Sequence, residues 1–273
     1  MYRRILLPVD EPSEVEPMIR FGAPLLDADG EIRMLHVIPT TTLPEVTQRW
    51  RSSVNLVVPA HEAGAALDVR VDPEVRASVD VPGEILEIAE SHGADVILMT
   101  LRGDRRSRNP FVGRTASAIL HHARCDVLIV NRLGLTADRV PRILVPTFLE
   151  APQPKLMQLA ETLAVRNQGA PIVTMVLGAK RPESPSEGGP PERMVKGIRT
   201  TYKRTIVPQR ILGKRRRLPA VLLAQAARER YGLLLIGEEA VRSEGPLLTR
   251  RFLEELFRAA PCPVAALRSA SES

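Results

Sequence analysis

The sequence predicts an α/β protein made of two tandem units, each with a parallel sheet that helices cover on both faces. Short apolar runs alternate with longer amphipathic stretches, which is typical of βαβ units. The runs are almost continuously apolar, as expected for strands that are buried on both faces. The same alternation also occurs twice along the 273 residues.

The two copies keep an almost constant register. Ile5–Val9 (ILLPV) returns as Ile143–Thr147 (ILVPT) at an offset of 138 residues. The segments that begin at Val81, Asp95 and Cys125 return at an offset of 137 residues. Two units of this length match the usual size of a domain. We therefore expect domains at residues 1–133 and 141–268, a short linker at 134–140 and a tail at 269–273.

The elements of the first unit follow from the local patterns. Helices are predicted where apolar residues recur at helical spacing, at Glu14–Leu26, Pro82–His92 and Arg114–Ala123. Pro39–Pro59 is interpreted as a loop after the second strand. The predicted strands are Arg4–Val9, Ile32–Ile38, Leu67–Arg76, Val96–Thr100 and Val127–Val130.

The second unit repeats this order of elements. Its predicted helices are Pro154–Arg166, Pro219–Arg230 and Thr249–Ala259. A loop rich in Pro, Gly, Ser and Glu is predicted over Ala179–Arg193. The predicted strands are Arg142–Pro146, Ile172–Leu177, Thr205–Leu212, Leu233–Gly237 and Val264–Leu267.

Composition disfavours several classes of function. The net charge of +6 is mild, and aromatic residues do not alternate with the basic ones, which argues against a nucleic-acid binder. No apolar run reaches the ~20 residues that a membrane span needs. The chain enters a strand-like segment at Arg4 without the pattern of a signal peptide, so we expect a cytoplasmic protein without a membrane partner.

Neither a metal site nor a catalytic group can be named from the residues. The adjacent His121 and His122 face different directions on a helix, and no zinc spacing occurs. Cys125 and Cys262 occupy equivalent places, either as small buried side chains or in a redox role. His36 is either a half-buried structural residue or a catalytic one. No nucleophile elbow or Ser–His–Asp arrangement appears, so we expect no enzyme with a defined reaction.

Three segments of the first unit together carry a resemblance. The first strand ends ILLPVD at Asp10, the second ends MLHVIP at Pro39, and the fourth runs into a basic loop followed by Gly113 and a helix. This combination resembles the universal stress protein family in its tandem, two-domain form. The resemblance implies two doubly wound, open parallel five-stranded sheets, Rossmann-like, and a role in the stress response. Family members that bind ATP use an acidic residue after strand one and a G-x2-G-x9-G-[ST] loop after strand four.

In the first unit this loop pattern falls on Thr100, Gly103, Gly113 and Arg114, so the first glycine and the final Ser/Thr are replaced, although Thr115 follows. Glycines in such a loop let backbone N–H groups approach phosphate oxygens, and the helix that follows adds its positive end. The loop is also rich in arginine, which binds anions well. It is either a phosphate site or a solvated basic loop. Its arginines are Arg102, Arg105, Arg106, Arg108 and Arg114.

The resemblance implies roles for individual residues toward ATP or another adenine nucleotide. Asp10, two residues after Pro8, and the backbone near Val37 are expected to hold the adenosine. For Asp10 the alternative is a strand-end carboxylate satisfied by the N–H groups of a turn. The phosphates are expected at Gly103, Arg105, Gly113, Arg114 and Thr115.

In the second unit the same pattern is largely lost. Its four positions are Gly237, Ala240, Arg250 and Arg251, and Phe148 stands in place of the acidic residue. Glutamates at 238, 239 and 244 would repel phosphate. The second unit is therefore interpreted as a degenerate copy. The resemblance implies that it pairs with the first through the last strands, as an intrachain pseudo-dimer, and further homodimerisation stays open.

A basic run in the second unit supports an alternative function. Lys214, Arg215, Arg216 and Arg217 follow the third strand, and they either dock an acidic protein partner or form a solvated loop. The leading hypothesis is a binding or regulatory module whose first unit holds a nucleotide. The alternative is a nucleotide-independent stress-response scaffold that docks acidic partners through its arginine-rich loops. Slow ATP hydrolysis stays open, although no residue stands out as its base.

Overall fold

The computed structural model shows two compact units. The first takes in the described residues between 1 and 131 together with 268–270, and the second takes in those between 142 and 267. The residues that the structure describes are 1–40, 47, 50, 53–101, 113–131, 142–148, 154–166, 172–178, 206–212, 218–237 and 250–270.

The first unit alternates strands and helices, as the sequence predicts except between the second and third strands. A single 3-10 turn, Ala23–Leu25, joins the first helix to the second strand. The strands are β1 (Tyr2–Pro8), β2 (Leu26–Pro39), β3 (Arg70–Ser78), β4 (Val96–Leu101) and β5 (Asp126–Asn131). The helices are α1 (Pro12–Gly22), α2 (Val54–Leu67), α3 (Val81–His92) and α4 (Arg114–His122).

The sheet of the first unit is open and wholly parallel, in the order β3-β2-β1-β4-β5. From β1 the chain adds β2 and then β3 on one side, and it then adds β4 and β5 on the other side of β1. The strand order therefore reverses between β1 and β4. In a doubly wound sheet this reversal leaves a crevice at the carboxyl ends of the two strands, which is the usual place for a ligand.

The core of the first unit lies on both faces of this sheet. Ile5, Leu6 and Leu7 are fully buried in β1, as are Val96–Leu98 in β4. On one face α1 packs against α2, and on the other α3 packs against α4. Aliphatic strands that are buried on both sides explain why the sequence runs are continuous rather than alternating.

Polar contacts fix the amino ends of the strands. The Asp95 carboxylate accepts hydrogen bonds from the backbone N–H groups of Arg3 and Arg4, at 2.7 and 2.9 Å. The buried Tyr2 hydroxyl donates to Asp126 at 2.9 Å, and its pKa is raised by burial and by that carboxylate. These contacts join β1 to the starts of β4, its neighbour, and of β5, the strand beyond β4.

Helix α2 was missed by the sequence analysis, which made Pro39–Pro59 a loop and began the third strand at Leu67. The structure places a helix at Val54–Leu67 and starts the strand at Arg70. The helix is apolar almost all round and contains Pro59, so it lacks the one-sided period that identifies a surface helix. Gly64 allows its close approach to β3, since a Cβ there would lie 2.7 Å from Val71 Cγ2.

The second unit has the same order of elements as the predicted copy. Its parallel sheet runs β8-β7-β6-β9-β10. Its strands are β6 (Ile143–Phe148), β7 (Ile172–Gly178), β8 (Ile206–Leu212), β9 (Leu233–Gly237) and β10 (Val264–Arg268). The helices among its described residues are α5 (Pro154–Arg166), α6 (Leu218–Glu229) and α7 (Arg250–Ala259).

None of the described helices combines the length and the apolarity that a membrane crossing needs.

The last residue of α3, His92, gives the fold a pH dependence that can be measured. Its side chain is 9% exposed, with Nε2 at 3.5 Å from Glu31 Oε1. Burial and then the charge of Arg33 lower the pKa of His92. The unfolded chain therefore binds this proton more readily, and the free energy of unfolding falls as the pH drops below about 6.5.

Replacing His92 by Gln should make that fall shallower, because the group that resists protonation is gone. The measurement is the free energy of unfolding in urea for both proteins between about pH 7.5 and about pH 5. Identical pH slopes would show that His92 protonates as readily in the folded chain as in the unfolded one.

Candidate functional site

A cavity of about 410 Å³ lies at the crevice of the first unit. The carboxyl ends of β1, β2 and β4 form its floor, and the first turns of α1, α3 and α4 contribute its walls. This volume is within the range of small-molecule sites. The cavity is lined by Pro8, Val9, Asp10, Glu14, Leu35, Val37, Pro39, Val81, Ile85, Met99, Thr100, Gly113, Thr115 and Ala116.

The structure brings together five of the eight residues that the sequence analysis proposed for the site. All five line this one cavity, although they come from three distant segments. Arg114 is exposed at the start of α4 and does not line it, while Gly103 and Arg105 lie outside the described residues. The basic run Lys214–Arg217 also lies outside them. The five are Pro8, Asp10, Val37, Gly113 and Thr115.

Two hydrogen bonds position the segment that carries Asp10. The backbone N–H of Val9 donates to the Leu35 carbonyl at 2.9 Å, which extends the β1–β2 pairing past Pro8. The Nδ1 atom of His36 lies 2.9 Å from the Val9 carbonyl, so it donates to that oxygen. His36 thus has a structural partner at the end of β1, and Asp10 follows as an exposed carboxylate at the cavity mouth.

One wall of the cavity is apolar. Leu35 and Val37 alternate along β2 and so face the same side of the sheet. Val81 and Ile85 lie one turn apart on α3 and complete this wall. Helix α3 begins here because the Asp80 carboxylate accepts a hydrogen bond from the Gly83 N–H at 3.2 Å. Such a wall suits a flat, weakly polar group such as an aromatic ring.

The opposite side is the amino end of α4. Its first helical hydrogen bond runs from the Ser117 N–H to the Gly113 carbonyl at 3.0 Å, so the amides of the preceding turn point out of the helix. That turn contains no acidic residue, and no side chain caps it. Among the described residues, none would lie within 4 Å of a Cβ at Gly113. Packing against these residues therefore does not require the glycine, and it leaves room for a ligand to approach the backbone there.

A buried polar pair on the cavity wall was missed by the sequence analysis. Glu14 in the first turn of α1 is 3% exposed, and its Oε1 accepts a hydrogen bond from Thr100 Oγ1 at 3.2 Å. Leu98 packs below α1, and Thr100 two residues later faces the same side of β4. The two residues are 86 positions apart, so no local pattern joins them. Thr100 was noted only as a replaced glycine.

The second unit offers different side chains at the equivalent positions. Pro146 is kept in β6, but Phe148 follows where the first unit has Asp10. Gly237 takes the place of Thr100 in β9, and α7 begins at Arg250, the counterpart of Gly113. The apolar skeleton is thus repeated while the polar residues of the crevice are not.

Other reactive groups are placed for structure. Burial raises the pKa of the Cys125 thiol, and it raises that of Cys262 to about 11, so neither thiol is activated. Both are free cysteines. His121 Nδ1 lies 2.7 Å from the Ser117 carbonyl of its own helix. In the part of the chain that the structure describes, no three His, Cys, Asp or Glu side chains come together as a metal site.

Comparisons with known proteins identify the family of the chain and support its fold. The sequence model of the universal stress protein family matches residues 1–131. Universal stress protein G of Shigella flexneri is 32% identical over 144 residues, which is 48% of this chain and 100% of that protein. The chain belongs to the universal stress protein family. A putative universal stress protein of Staphylococcus haemolyticus is 24% identical over 157 residues, which is 54% of this chain and 95% of that protein.

Solved structures show that the fold extends over the whole chain of this universal stress protein. A universal stress protein from Archaeoglobus fulgidus DSM 4304 superposes with a TM-score of 0.71, covering 99% of this chain and 97% of its own, at 16% identity. A putative universal stress protein from Pseudomonas aeruginosa UCBPP-PA14 superposes with a TM-score of 0.62 at 12% identity. The match covers 98% of this chain and 94% of that protein. The predicted fold class, two doubly wound parallel α/β sheets, is confirmed.

The Glu14–Thr100 hydrogen bond can be tested by its contribution to stability. Replacing Thr100 by Val keeps the shape but leaves the buried carboxylate without this donor. We expect the free energy of unfolding to fall by about 1 to 2 kcal/mol. The measurement is urea unfolding followed by circular dichroism.

Replacement of Thr100 by Ser is the matched control, because it keeps the hydroxyl. It should lose clearly less stability than the Val variant. A Val variant as stable as the Ser variant would show that the hydrogen bond does not stabilise the folded state.

Proposed function

We propose that the first unit binds one adenine nucleotide, ATP or a smaller relative, and that the protein acts as a regulatory binding module. The observation that carries the proposal is the convergence of Asp10, Val37 and the amino end of α4 on one cavity. An acidic group, an apolar slot and a helix N-terminus are complementary to ribose, base and phosphate respectively. Family membership supports a role in the stress response.

The adenosine would occupy the β1–β2 side of the cavity. The base would lie against Leu35, Val81 and Ile85, with the backbone at Val37 as its hydrogen-bonding edge. The Asp10 carboxylate would accept from the ribose hydroxyls at the mouth. Charged acceptors make stronger hydrogen bonds than neutral ones, which gives Asp10 a large share of the binding.

The phosphate would lie toward α4. Gly113 and Thr115 line this part of the cavity, and the helix end attracts negative charge. Arg114, exposed beside it, and Gly103 and Arg105 in the preceding loop would add further phosphate contacts. No catalytic residue is proposed.

The second unit would serve as a partner within the chain. Its crevice residues differ at each polar position, so one ligand per chain is expected in the first unit. We propose that residues 1–133 and 141–268 form an intrachain pseudo-dimer through their last strands, with 134–140 as linker. Under the alternative function, the arginine-rich loops and Lys214–Arg217 would dock an acidic partner without nucleotide.

Calorimetric titration with ATP, AMP and cyclic AMP tests the proposal. Replacing Asp10 by Ala should weaken binding about tenfold, the effect of losing one charge-assisted hydrogen bond. Replacing Asp29 by Ala is the matched control, because that exposed aspartate lines a separate cleft on the other edge of the same sheet. Replacing Phe148 by Ala tests the second unit and should change binding little.

Two outcomes would contradict the proposal. No heat and no thermal shift at millimolar ligand would favour the nucleotide-independent scaffold. Equal losses from the Asp10 and Phe148 variants would show that the site has been assigned to the wrong unit.

A further inference from the structure

The β1–β2 pairing of the first unit ends two residues before Asp10. Its last pair is Pro8 with Leu35, and the Val9 N–H still donates to the Leu35 carbonyl at 2.9 Å. Because hydrogen bonds are evenly spaced in a parallel ladder, the next one would run from the Val37 N–H to the Val9 carbonyl. That hydrogen bond does not occur among the described contacts, although both residues line the cavity.

The side chain of His36 takes the place of this ladder bond. Its Nδ1 lies 2.9 Å from the Val9 carbonyl, and Nδ1 donates because that oxygen can only accept. His36 points to the opposite side of β2 from Leu35 and Val37, and it does not line the cavity. The Val9 carbonyl is thus satisfied from outside the cavity, and the Val37 N–H is kept out of the ladder.

The second unit has no histidine at the equivalent place. Pro146 pairs with Met175 as the last pair of the first unit does, so Val176 corresponds to His36. A valine side chain has no group that donates to a carbonyl. Here the pairing of the first two strands continues for two more residues. The further pairs are Thr147 with Val176 and Phe148 with Leu177.

The difference between the units concerns the two backbone groups that the proposed site uses. Phe148, the counterpart of Asp10, is still part of its strand in the second unit. In the first unit the strand ends at Pro8, and Asp10 lies in the connection to α1 at the cavity mouth. The unit that carries the histidine is therefore the one whose first strand ends early.

We infer that His36 is a positioning residue of the nucleotide site. By holding the Val9 carbonyl it ends the β1–β2 ladder, and this leaves the Val37 N–H to the base of the ligand. The chain then turns out of the sheet, which brings Asp10 to the ribose. The inference rests on the proposed function and adds to it a residue that lies outside the cavity.

The substitution His36→Val tests the inference, because valine occupies the equivalent place in the second unit. Without the Nδ1 donor, the Val37 N–H should bond to the Val9 carbonyl and extend the ladder. We expect the dissociation constant of AMP, measured by calorimetry, to rise by about tenfold. We also expect the Val37 amide of the ligand-free protein to exchange more slowly with deuterium, as measured by NMR.

The exchange rate distinguishes this role from a loss of stability. A substitution that only destabilises the unit should make the Val37 amide exchange faster, because the unit then opens more often. Exchange at Val37 that is unchanged or faster in His36→Val would overturn the inference, whatever the affinity of that variant for AMP.

Two further variants serve as matched controls. In His36→Asn the side-chain amide can donate from close to the position of Nδ1, so the AMP constant should stay within about threefold of the wild-type value. His121→Val removes a histidine whose Nδ1 lies 2.7 Å from the Ser117 carbonyl of its own helix, and it should leave the AMP constant unchanged. A loss in His36→Asn as large as that in His36→Val would show that the hydrogen bond is not responsible.

Failure of the inference can be told apart from failure of the proposed function. Equal affinities of the wild type and His36→Val for AMP would overturn the inference alone. Absence of AMP binding by the wild type would defeat the proposed function, while exchange at Val37 would still report whether His36 ends the ladder.

Discussion

The reversal of strand order between β1 and β4 is the constraint on which the candidate site depends. Because β2 and β4 flank β1 on opposite sides, the connections that leave β1 and β4 go to opposite faces of the sheet. A crevice remains between them that neither face fills. Buried aliphatic strands make this arrangement rigid, and the Asp95 and Tyr2 contacts hold the amino ends of the strands in register. The polar residues at the carboxyl ends can therefore vary without loss of the fold.

The two units differ in these polar residues while they share the fold. Both keep a fully parallel sheet with the same order of elements, and both keep a proline near the end of the first strand. They differ at Asp10 and Phe148, and at Gly113 and Arg250, where a ligand would be held. A duplicated skeleton thus need not carry a duplicated site, since the apolar core and the crevice are encoded by different residues.

Most of the fold could be predicted from the sequence, because buried strands appear as short apolar runs and the same order of runs occurs in both units. The prediction failed at α2, where a helix without a polar face gives no helical period. For the site, the positions of Asp10, Val37 and Gly113 followed from the resemblance. Glu14 did not, because its relation to Thr100 arises only when α1 and β4 pack together. Arg114 follows Gly113 in the motif but does not line the cavity, and its contact with phosphate stays a prediction.

We propose a single ligand site, at the crevice of the first unit. Amide hydrogen exchange with and without saturating adenosine or AMP tests it most directly, because it reports location as well as binding. We expect slower exchange in the ligand-bound protein around Val9–Glu14, Leu35–Pro39 and the first turn of α4, with the equivalent segments of β6, β7 and α7 unchanged. Protection in the second unit, or protection spread evenly over both units, would contradict it.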